Sequence, residues 1–404
     1  MRVTNSLIYN VNVSLLNKQQ AKVFYTQQQI STGQRMLTAA DDPAAAARAL
    51  EVTQSQSMNT RFANNLVPLK NTLTMEDGVL GNISTLLQDM KGVVAGAGNA
   101  AQTDAERKAI AQQVQGNLQQ LLGLANSTDG AGTYMFSGSQ GSTIPFAMTS
   151  TGAQYQGDNG QRLVQASVSR QISTSDNGYD LFMRAKNGNG TFQVQPTATN
   201  TGSGVASQGG VINSSLLTGN NYQVAFSVAG GATTYTVTDV TTGTQVVPAT
   251  AYVSGQSITF DGMQFSIKGT PVNGDTFNVS PSKAQDIFTT LTNLVNALNT
   301  PVTNGSAASG AALQQALIDA GTGIDNALNQ VLSVRASVGA RLSEVDTLQT
   351  MNDALSLQYT TELSQLRDLD YNKAITDLTS QTTALTAAQK AYSQISNLSM
   401  FQYM

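Results

Sequence analysis

Hydrophobic residues recur at steps of three and four towards both ends of the chain, and at steps of two across its middle. The last stretch, residues 371–404, carries two series with a spacing of seven. They are Tyr371, Leu378, Leu385 and Tyr392, and Ala374, Gln381, Ala388 and Ile395. Such a repeat predicts a helix that packs in a coiled coil. Because chain ends fray unless another segment docks them, this helix requires a partner.

The N-terminal stretch, residues 3–31, is a candidate partner helix. Its series with a spacing of seven is Tyr9, Leu16, Val23 and Ile30. The companion positions, Gln20 and Gln27, are polar, and isolated helices owe most of their stability to tertiary packing. We therefore expect this segment to be disordered in a monomer and to order on assembly. An ordinary amphipathic core helix would show the same periodicity.

A turn is predicted after this first helix. Gly33 can close the helix in a left-handed conformation, and Asp42 followed by Pro43 is typical of a helix start. Paired Asp41 and Asp42 could also serve acid–base chemistry. No base, cleft or metal ligand accompanies them, which favours helix capping.

Two long helical regions flank the middle of the chain. In the first, from Pro43 to about Gly96, Pro68 predicts a kink. A capping box at Thr103–Glu106 begins a further helix, which should form an antiparallel hairpin with the preceding one. The second region should begin at Ser282, where S-x-x-Q is another capping box. The face expected to be buried in the first region comprises Leu69, Leu73, Glu76, Leu80, Ile83, Leu87, Met90 and Val94. The corresponding face of the second comprises Ile287, Leu291, Leu294, Leu298, Leu313, Leu317, Ala320, Ile324, Ala327, Val331, Val334 and Val338.

Between these regions the pattern is that of β-strands. Polar and apolar residues alternate between Phe192 and Ser280, and Asp261-Gly262 is the preferred pair for a type I′ hairpin turn. The fold class is therefore mainly α with inserted β: a rod of long coiled-coil helices from both termini, with a small antiparallel β domain in the middle. We place a terminal helical domain at residues 1–40 and 363–404, a helical core domain at 41–187 and 283–362 with a short β region at about 134–183, and the β domain at 188–282.

Composition narrows the possible functions. Charged residues make up 11% of the chain, against roughly 25% in an average domain. The net charge is -4 without a basic cluster, so neither nucleic acid nor an anionic membrane is an expected partner. Cys and His are absent, which removes thiolate and imidazole chemistry and most zinc sites. Asp239, Asp261 and Asp275 stand singly in turns, which argues against a calcium site. We expect no catalytic residue, cofactor or metal, and no enzyme activity.

The N-terminus lacks the apolar core and cleavage site of a signal peptide, and no run is long enough to span a membrane. The chain is therefore expected either to stay in the cytoplasm or to be exported without cleavage.

Three segments carry a resemblance to a known family. They are ISTGQRMLTAADDPAAAARAL at residues 30–50, RASVGARL at 335–342 and the stretch 368–404. Together they resemble the flagellin family of bacterial flagellar proteins. The opening MRVTNSLIYN, the closing SNLSMFQYM and TYMFSGSQGSTIPF at 133–146 are similar to the branch that joins hook to filament. The larger β insertion and Pro68 depart from the family pattern.

The resemblance implies a structural protein of the bacterial flagellum that joins hook to filament and presents a surface for flagellin assembly through coiled-coil packing of its terminal helices. It implies export through the flagellar type III apparatus without a cleaved signal peptide, and an extracellular location at the hook–filament junction. The implied partners are other copies of the chain in a ring, hook-associated protein 1 on the hook side, flagellin on the filament side, and an export chaperone that covers the C-terminal helix.

The implied assembly residues combine the two seven-residue series with the turn between them. They are Tyr9, Leu16, Val23, Ile30, Arg35, Asp42, Tyr371, Leu378, Leu385, Tyr392 and Ile395. Two alternatives stay open: a flagellin filament subunit, and an extracellular coiled-coil adhesin or fibre. In an adhesin, Tyr222, Tyr235 and Tyr252 could form a ligand-binding face, although alternating aromatic residues are more often β core.

Overall fold

The chain folds into two compact units, and the computed structural model describes residues 5–99, 102–302 and 306–397. One unit comprises Met1–Leu66 with Thr347–Met404, and the other comprises Val67–Asp346. The helices are α1 (Asn5–Thr32), α2 (Pro43–Ala97), α3 (Asp104–Ala125), α4 (Ile287–Asn299), α5 (Ala307–Arg367) and α6 (Tyr371–Asn397). None of the described helices has both the length and the apolar character needed to cross a membrane.

The strands lie between α3 and α4 in the chain. They are β1 (Phe146–Met148), β2 (Ala153–Tyr155), β3 (Leu163–Gln165), β4 (Gln171–Ser173), β5 (Phe192–Pro196), β6 (Val205–Ala206), β7 (Gly210–Val211), β8 (Tyr222–Ala229), β9 (Ala232–Asp239), β10 (Thr244–Ala251), β11 (Ser257–Phe260), β12 (Met263–Lys268) and β13 (Thr276–Pro281). Every strand pair is antiparallel. The predicted class, long helices from both ends with antiparallel β structure between them, is confirmed.

Helices α2 and α5 run antiparallel, as their ion pairs show. Lys70 Nζ lies 2.6 Å from Asp346 Oδ1, and Lys91 Nζ lies 2.6 Å from Asp325 Oδ1. The residue number falls along α5 as it rises along α2. All eight residues of the predicted apolar face of α2, including Glu76, are buried. Helix α2 continues through Pro68, so the missing N–H of the proline does not end it.

One predicted helix start is right and another is wrong. Thr103 and Glu106 form the predicted capping box of α3. The chain at Ser282 is still in an extended connection, because its N–H donates to the carbonyl of Thr191 at 2.9 Å. Helix α4 begins five residues later, where Asp286 accepts from the N–H of Thr289 at 2.6 Å.

Helix α3 lies against α4. Its antiparallel hairpin with α2 stays a prediction. Helix α4 has a strongly apolar face of its own, and that face is buried. The β region of residues 146–173 packs nearby, where Phe146 lies 5.4 Å from Phe288 between ring centroids.

The β domain consists of two sheets around a shared core. One sheet has the order β10-β9-β8-β13-β5, and the other pairs β12 with β11, β6 and β7. Asp261 and Gly262 have φ angles of 42° and 76°, so the predicted type I′ turn joins β11 to β12. Strand β10 departs from the alternating pattern: it contains Pro248, is largely exposed and pairs with register shifts, as edge strands often do.

The three tyrosines considered for a ligand-binding face belong to this core. Tyr222 is buried, while Tyr235 and Tyr252 are partly buried against the same cluster. The hydroxyl of Tyr222 donates to Asp261 Oδ2 at 2.6 Å, which fixes the ring beside the hairpin turn. These residues therefore form no exposed aromatic face.

Candidate assembly interface

Helices α1 and α6 pack against each other in antiparallel orientation. The ring centroids of Tyr9 and Tyr392 lie 5.8 Å apart near one end of the pair. Near the other end, a Cβ atom on Gly33 would lie 3.0 Å from the hydroxyl of Tyr371. The two helices are thereby in contact over about 36 Å, the length of 24 helical residues.

The faces that meet follow steps of three and four, as a coiled-coil seam requires. On α1, the buried or half-buried residues of this face are Asn12, Leu16, Gln19, Val23, Thr26 and Ile30. On α6 they are Ala374, Leu378, Gln381, Leu385, Ala388 and Tyr392. Tyr9 and Tyr371 lie at the ends of the seam and are about half exposed. The side chain of Ile395, also a predicted assembly residue, lies outside the part that the structure describes.

The companion positions predicted on α1 are wrong. Gln20 and Gln27 are exposed, and Asn12, Gln19 and Thr26 lie in the seam instead. A spacing of seven leaves open whether the second seam position follows three or four residues after the first. The position of the partner helix determines which of the two steps is used. In this protein the seam runs from Leu16 to Gln19, a step of three.

The seam contains a polar layer, which the periodicity did not reveal. Thr26 is 5% exposed, and its hydroxyl donates to Gln381 Oε1 at 3.0 Å. Gln19 Nε2 donates to the backbone carbonyl of Gln381 at 3.2 Å. Because a buried polar group is costly without its partner, these bonds favour one register of the two helices.

A short backbone pairing links the inner ends of the two terminal helices. We call residues 33–35 and 367–369 the clasp. The N–H of Arg35 donates to the carbonyl of Arg367 at 2.8 Å, and the N–H of Leu369 donates to the carbonyl of Gly33 at 3.0 Å. Gln34 and Asp368 thus form an antiparallel bridge between chain segments that are far apart in sequence.

The predicted turn residues stabilise the clasp and the start of α2. Arg35 Nη2 lies 3.3 Å from Asp42 Oδ2 and donates to the carbonyl of Leu366 at 3.1 Å. Both charged side chains are partly exposed, so this ion pair is worth about 0–1 kcal/mol. Asp42 Oδ1 accepts from the N–H of Ala45 at 3.0 Å, which is a helix-capping contact.

The neighbouring Asp41 closes the turn. Its Oδ2 accepts from the N–H groups of Leu37 and Thr38 at 2.9 and 2.7 Å. The backbone N–H of Thr38, followed by the hydroxyl of Tyr25, lowers the pKa of Asp41 below its ordinary value. Asp42 therefore caps α2 as predicted, whereas Asp41 stabilises the turn that precedes the helix.

Among the side chains that the structure describes in this unit, six large apolar ones outside the seam are more than half exposed, and the seven-residue series did not indicate them. They are Val11, Leu15 and Phe24 on α1, Leu50 on α2, Leu357 on α5 and Ile375 on α6. None belongs to the seam between α1 and α6. The sequence does contain one indication of this surface, because large apolar residues also occur outside the seven-residue series. Such residues do not stabilise an isolated helix pair, since they lie outside its seam. Apolar surface of this kind is typical of interaction sites.

Family models match both ends of the chain and its β domain. The model described as the bacterial flagellin N-terminal helical region matches residues 3–141, and the bacterial flagellin C-terminal helical region matches residues 322–404. Residues 195–281 match the D2-like domain of flagellar hook-associated protein 1.

A solved structure decides the family. The chain is 33% identical to flagellar hook-associated protein 3 from Legionella pneumophila, covering 78% of this chain and 98% of that one with a TM-score of 0.75. This chain belongs to the flagellar hook-associated protein 3 family. FlgL from Xanthomonas campestris is 29% identical, with coverage of 78% and 99% and a TM-score of 0.72.

A curated member of the hook-associated protein 3 family aligns from end to end. Flagellar hook-associated protein 3 from Salmonella typhimurium is 25% identical over 402 residues, which is 100% of this chain and 99% of that protein. The resemblance found in the terminal motifs is confirmed, and the protein is a structural component of the flagellar hook–filament junction.

Proposed function

We propose that the unit containing α1 and α6 is the assembly module of this junction protein, and that it packs against further copies to form a ring. The observation that carries the proposal is the set of six exposed apolar side chains: Val11, Leu15, Phe24, Leu50, Leu357 and Ile375. They remain exposed although α1 and α6 have already paired.

Packing between copies would remove this surface from water. Burying one large apolar side chain contributes about 1.5–3 kcal/mol relative to leaving it exposed. This gain is opposed by the loss of conformational entropy, which costs roughly 1–2 kcal/mol for each residue whose backbone becomes fixed. A ring offers the same contact to every copy, so the gain is repeated at each interface.

In this proposal the predicted assembly residues do not form the surface between copies. They stabilise the helix pair that carries it. Leu16, Val23, Leu378 and Leu385 hold α1 to α6, so they act on assembly by building the surface. Tyr9, Tyr371, Arg35 and Asp42 stabilise the ends of the helix pair and the clasp. We include Ile395 in the seam because it continues the same series, seven residues after Ala388.

The remaining partners follow from the family. We propose contacts with hook-associated protein 1 on the hook side and flagellin on the filament side, and a purely structural role without catalysis. Before assembly, a flagellar export chaperone would cover the apolar face of α6. Export would proceed through the flagellar type III apparatus without a cleaved signal peptide, leading to an extracellular location.

Gene deletion tests the proposed role. We expect deletion to leave normal hooks without filaments, with flagellin lost to the medium. Wild-type protein should restore filaments, whereas Leu15→Ser/Phe24→Ser should be exported, keep its circular dichroism spectrum and fail to restore them. The matched control is Val168→Ser, which changes an exposed apolar residue of the other unit.

Three results would contradict the proposal in whole or in part. Immunogold label along the whole filament, instead of a band at its base, would indicate a filament subunit. Normal filaments in the deletion strain, with a defect only in surface attachment, would indicate an adhesin. Full restoration by the double variant would refute the assigned surface while leaving the junction role intact.

A further inference from the structure

A carboxylate is buried in the apolar face of α2. Glu76 is 0% exposed and occupies the series that also contains Leu73 and Leu80. Its Oε1 accepts from the backbone N–H of Asp176 at 2.8 Å. Its Oε2 has no hydrogen-bond partner among the residues that the structure describes.

The charged groups facing Glu76 come from three other elements of the same unit. Asp176 follows β4, and its carboxylate pairs with Arg341 of α5. Arg341 also donates to the carbonyl of Ser173 at 3.2 Å. Arg162, just before β3, donates to the carbonyl of Tyr134 and the hydroxyl of Ser175, both at 3.1 Å. Among the described contacts, neither guanidinium forms an ion pair with Glu76.

An ionised carboxylate with an unpaired oxygen is unfavourable at such a position, whereas the neutral acid costs much less. The single bond from Glu76 to Asp176 joins α2 to the segment 162–178, which carries β3 and β4. A negative charge on Glu76 therefore weakens the docking of that segment against α2.

We propose that Glu76 is a pH-sensitive latch: its protonated form holds the segment 162–178 against α2, and its ionisation releases the segment. The helices themselves should stay paired, because their buried faces do not depend on this carboxylate. Release would be local to β3, β4 and the loop to Asp176.

The direction of the switch follows from the surroundings. Burial, and then the negative charge of Asp176, raise the pKa of Glu76 to about 8, while the N–H of Asp176 and the two arginines oppose the shift. The docked state therefore keeps a proton that the released state loses at about pH 4.5. The docked state is most favoured at low pH, and that advantage is lost as the pH rises through about 8.

Other contacts make the opening partial. Arg170 at the hairpin end of β4 donates to Glu344 Oε1 and Oε2 at 2.5 and 2.8 Å, but both side chains are partly exposed. Ile172 is buried and adds an apolar contact. Arg341 also holds the segment to α5 through Asp176 and the carbonyl of Ser173, so the segment separates from α2 while its contacts with α5 limit the movement.

Hydrogen exchange on the full-length protein tests the latch. We would compare wild type, Glu76→Gln and Asp77→Asn from about pH 6 to pH 9, correcting each amide for its intrinsic exchange rate. In the wild type, the opening constant of peptides covering 162–178 should rise roughly 10- to 100-fold over this range. In Glu76→Gln the rise should be much smaller, because the amide keeps the acceptor oxygen without titrating. What remains belongs to Asp176, whose pKa burial also raises.

The control variant lies on the same helix. Asp77 is partly exposed and pairs with Arg335 at 2.8 Å, so Asp77→Asn should keep the wild-type pH dependence. The latch is refuted if Glu76→Gln and wild type share the same dependence, or if wild-type opening does not change with pH.

An infrared titration of the wild type covers the case in which Glu76→Gln does not fold. A protonated carboxyl band that persists above pH 6 and disappears near pH 8 supports the latch, provided that Asp77→Asn and Asp319→Asn both retain it. The second variant is needed because the pKa of Asp319 is also raised, to about 6. The absence of any such band above pH 6 overturns the proposal.

Discussion

The hydroxyl of Thr26 donates a hydrogen bond of 3.0 Å to the side-chain oxygen of Gln381, a residue 355 positions further along the chain. This bond lies inside the seam between α1 and α6, where Thr26 is almost fully buried. It ties the two ends of the protein in one register, on which the surface proposed for assembly depends.

Removing this hydroxyl should weaken the pairing of the terminal helices. We expect Thr26→Ala to cost about 1 kcal/mol, because Gln381 Oε1 loses its donor in a partly buried site. Urea unfolding followed by circular dichroism measures the change. In the matched control, Thr376→Ala on α6, the lost hydroxyl is exposed and donates at 2.8 Å to the carbonyl of Asn372 in its own helix, so the effect should be near zero. Equal losses in the two variants would mean that the polar layer contributes nothing specific.

The apolar part of the seam gives a second prediction. Leu378→Ser/Leu385→Ser should destabilise the α1–α6 pair by about 2–3 kcal/mol, since each leucine is half-buried, and should block assembly. The unit Val67–Asp346 should stay folded, as judged by its exchange protection. Ile375→Ser on the outer side of α6 should keep the helix pair but still impair assembly. A double mutant that still completes a junction would refute this assignment.

Gly33 has a conformation that other residues adopt at a cost. Its φ is 70°, and an added Cβ would meet the hydroxyl of Tyr371 at 3.0 Å. We expect Gly33→Ala to cost about 1–2 kcal/mol. The control Gly78→Ala lies inside α2 with open space around it and should instead stabilise by about 0.5–1 kcal/mol. Thermal unfolding shifts of opposite sign would support both expectations, and a stabilising Gly33→Ala would contradict the first.

The partly buried carboxylate of Asp319 predicts a pH dependence of stability. Burial raises the pKa of Asp319 to about 6, with a smaller opposing effect from the amide of Gln315. The folded state keeps a proton that the unfolded chain loses near pH 4, so stability falls as the pH rises from about 4 through 6. Asp319→Asn should remove this fall and be more stable at pH 8 by about 1–3 kcal/mol.

The control for this prediction is Asp325→Asn, an exposed position on the same helix that pairs with Lys91. Its pH profile between pH 4 and 8 should match the wild type in urea unfolding. If Asp319→Asn keeps the wild-type fall in stability, another group is responsible.

The chain ends should open more readily than the rest of the protein. Helices α1 and α6 have largely exposed surfaces outside their common seam, so little apolar burial holds them in a monomer. We expect limited proteolysis of purified monomer to remove residues 1–35 and 365–404 first and to leave a stable core. Ends as protected as the core in proteolysis and amide exchange would contradict assembly-coupled ordering.

Local patterns predicted much of this architecture because they report local physics. The steps of three and four from Leu69 to Val94 identify one buried face of α2, since a helix turns once in 3.6 residues. The pair Asp261-Gly262 predicts its hairpin turn because the turn needs two positive φ angles. The Thr103–Glu106 motif predicts the start of α3 because both of its bonds lie within four residues.

Other features depend on residues that are distant in sequence. Ser282 carries the same short motif as Thr103, but its N–H bonds to Thr191 and the helix starts only after Asp286. Glu76 fits the helical repeat as a polar exception, and nothing nearby in the sequence indicates Asp176 or Arg341 beside it.

The same division applies to the terminal helices. The sequence by itself determined that residues 9–30 and 371–392 form amphipathic helices with a repeat of seven. The tertiary structure alone decided that Thr26, and not Gln27, meets Gln381, and that Leu15, Phe24 and Ile375 lie outside the seam. A repeat of seven shows that residues at that spacing lie on the same face of a helix. Which face is buried depends on where the partner helix lies.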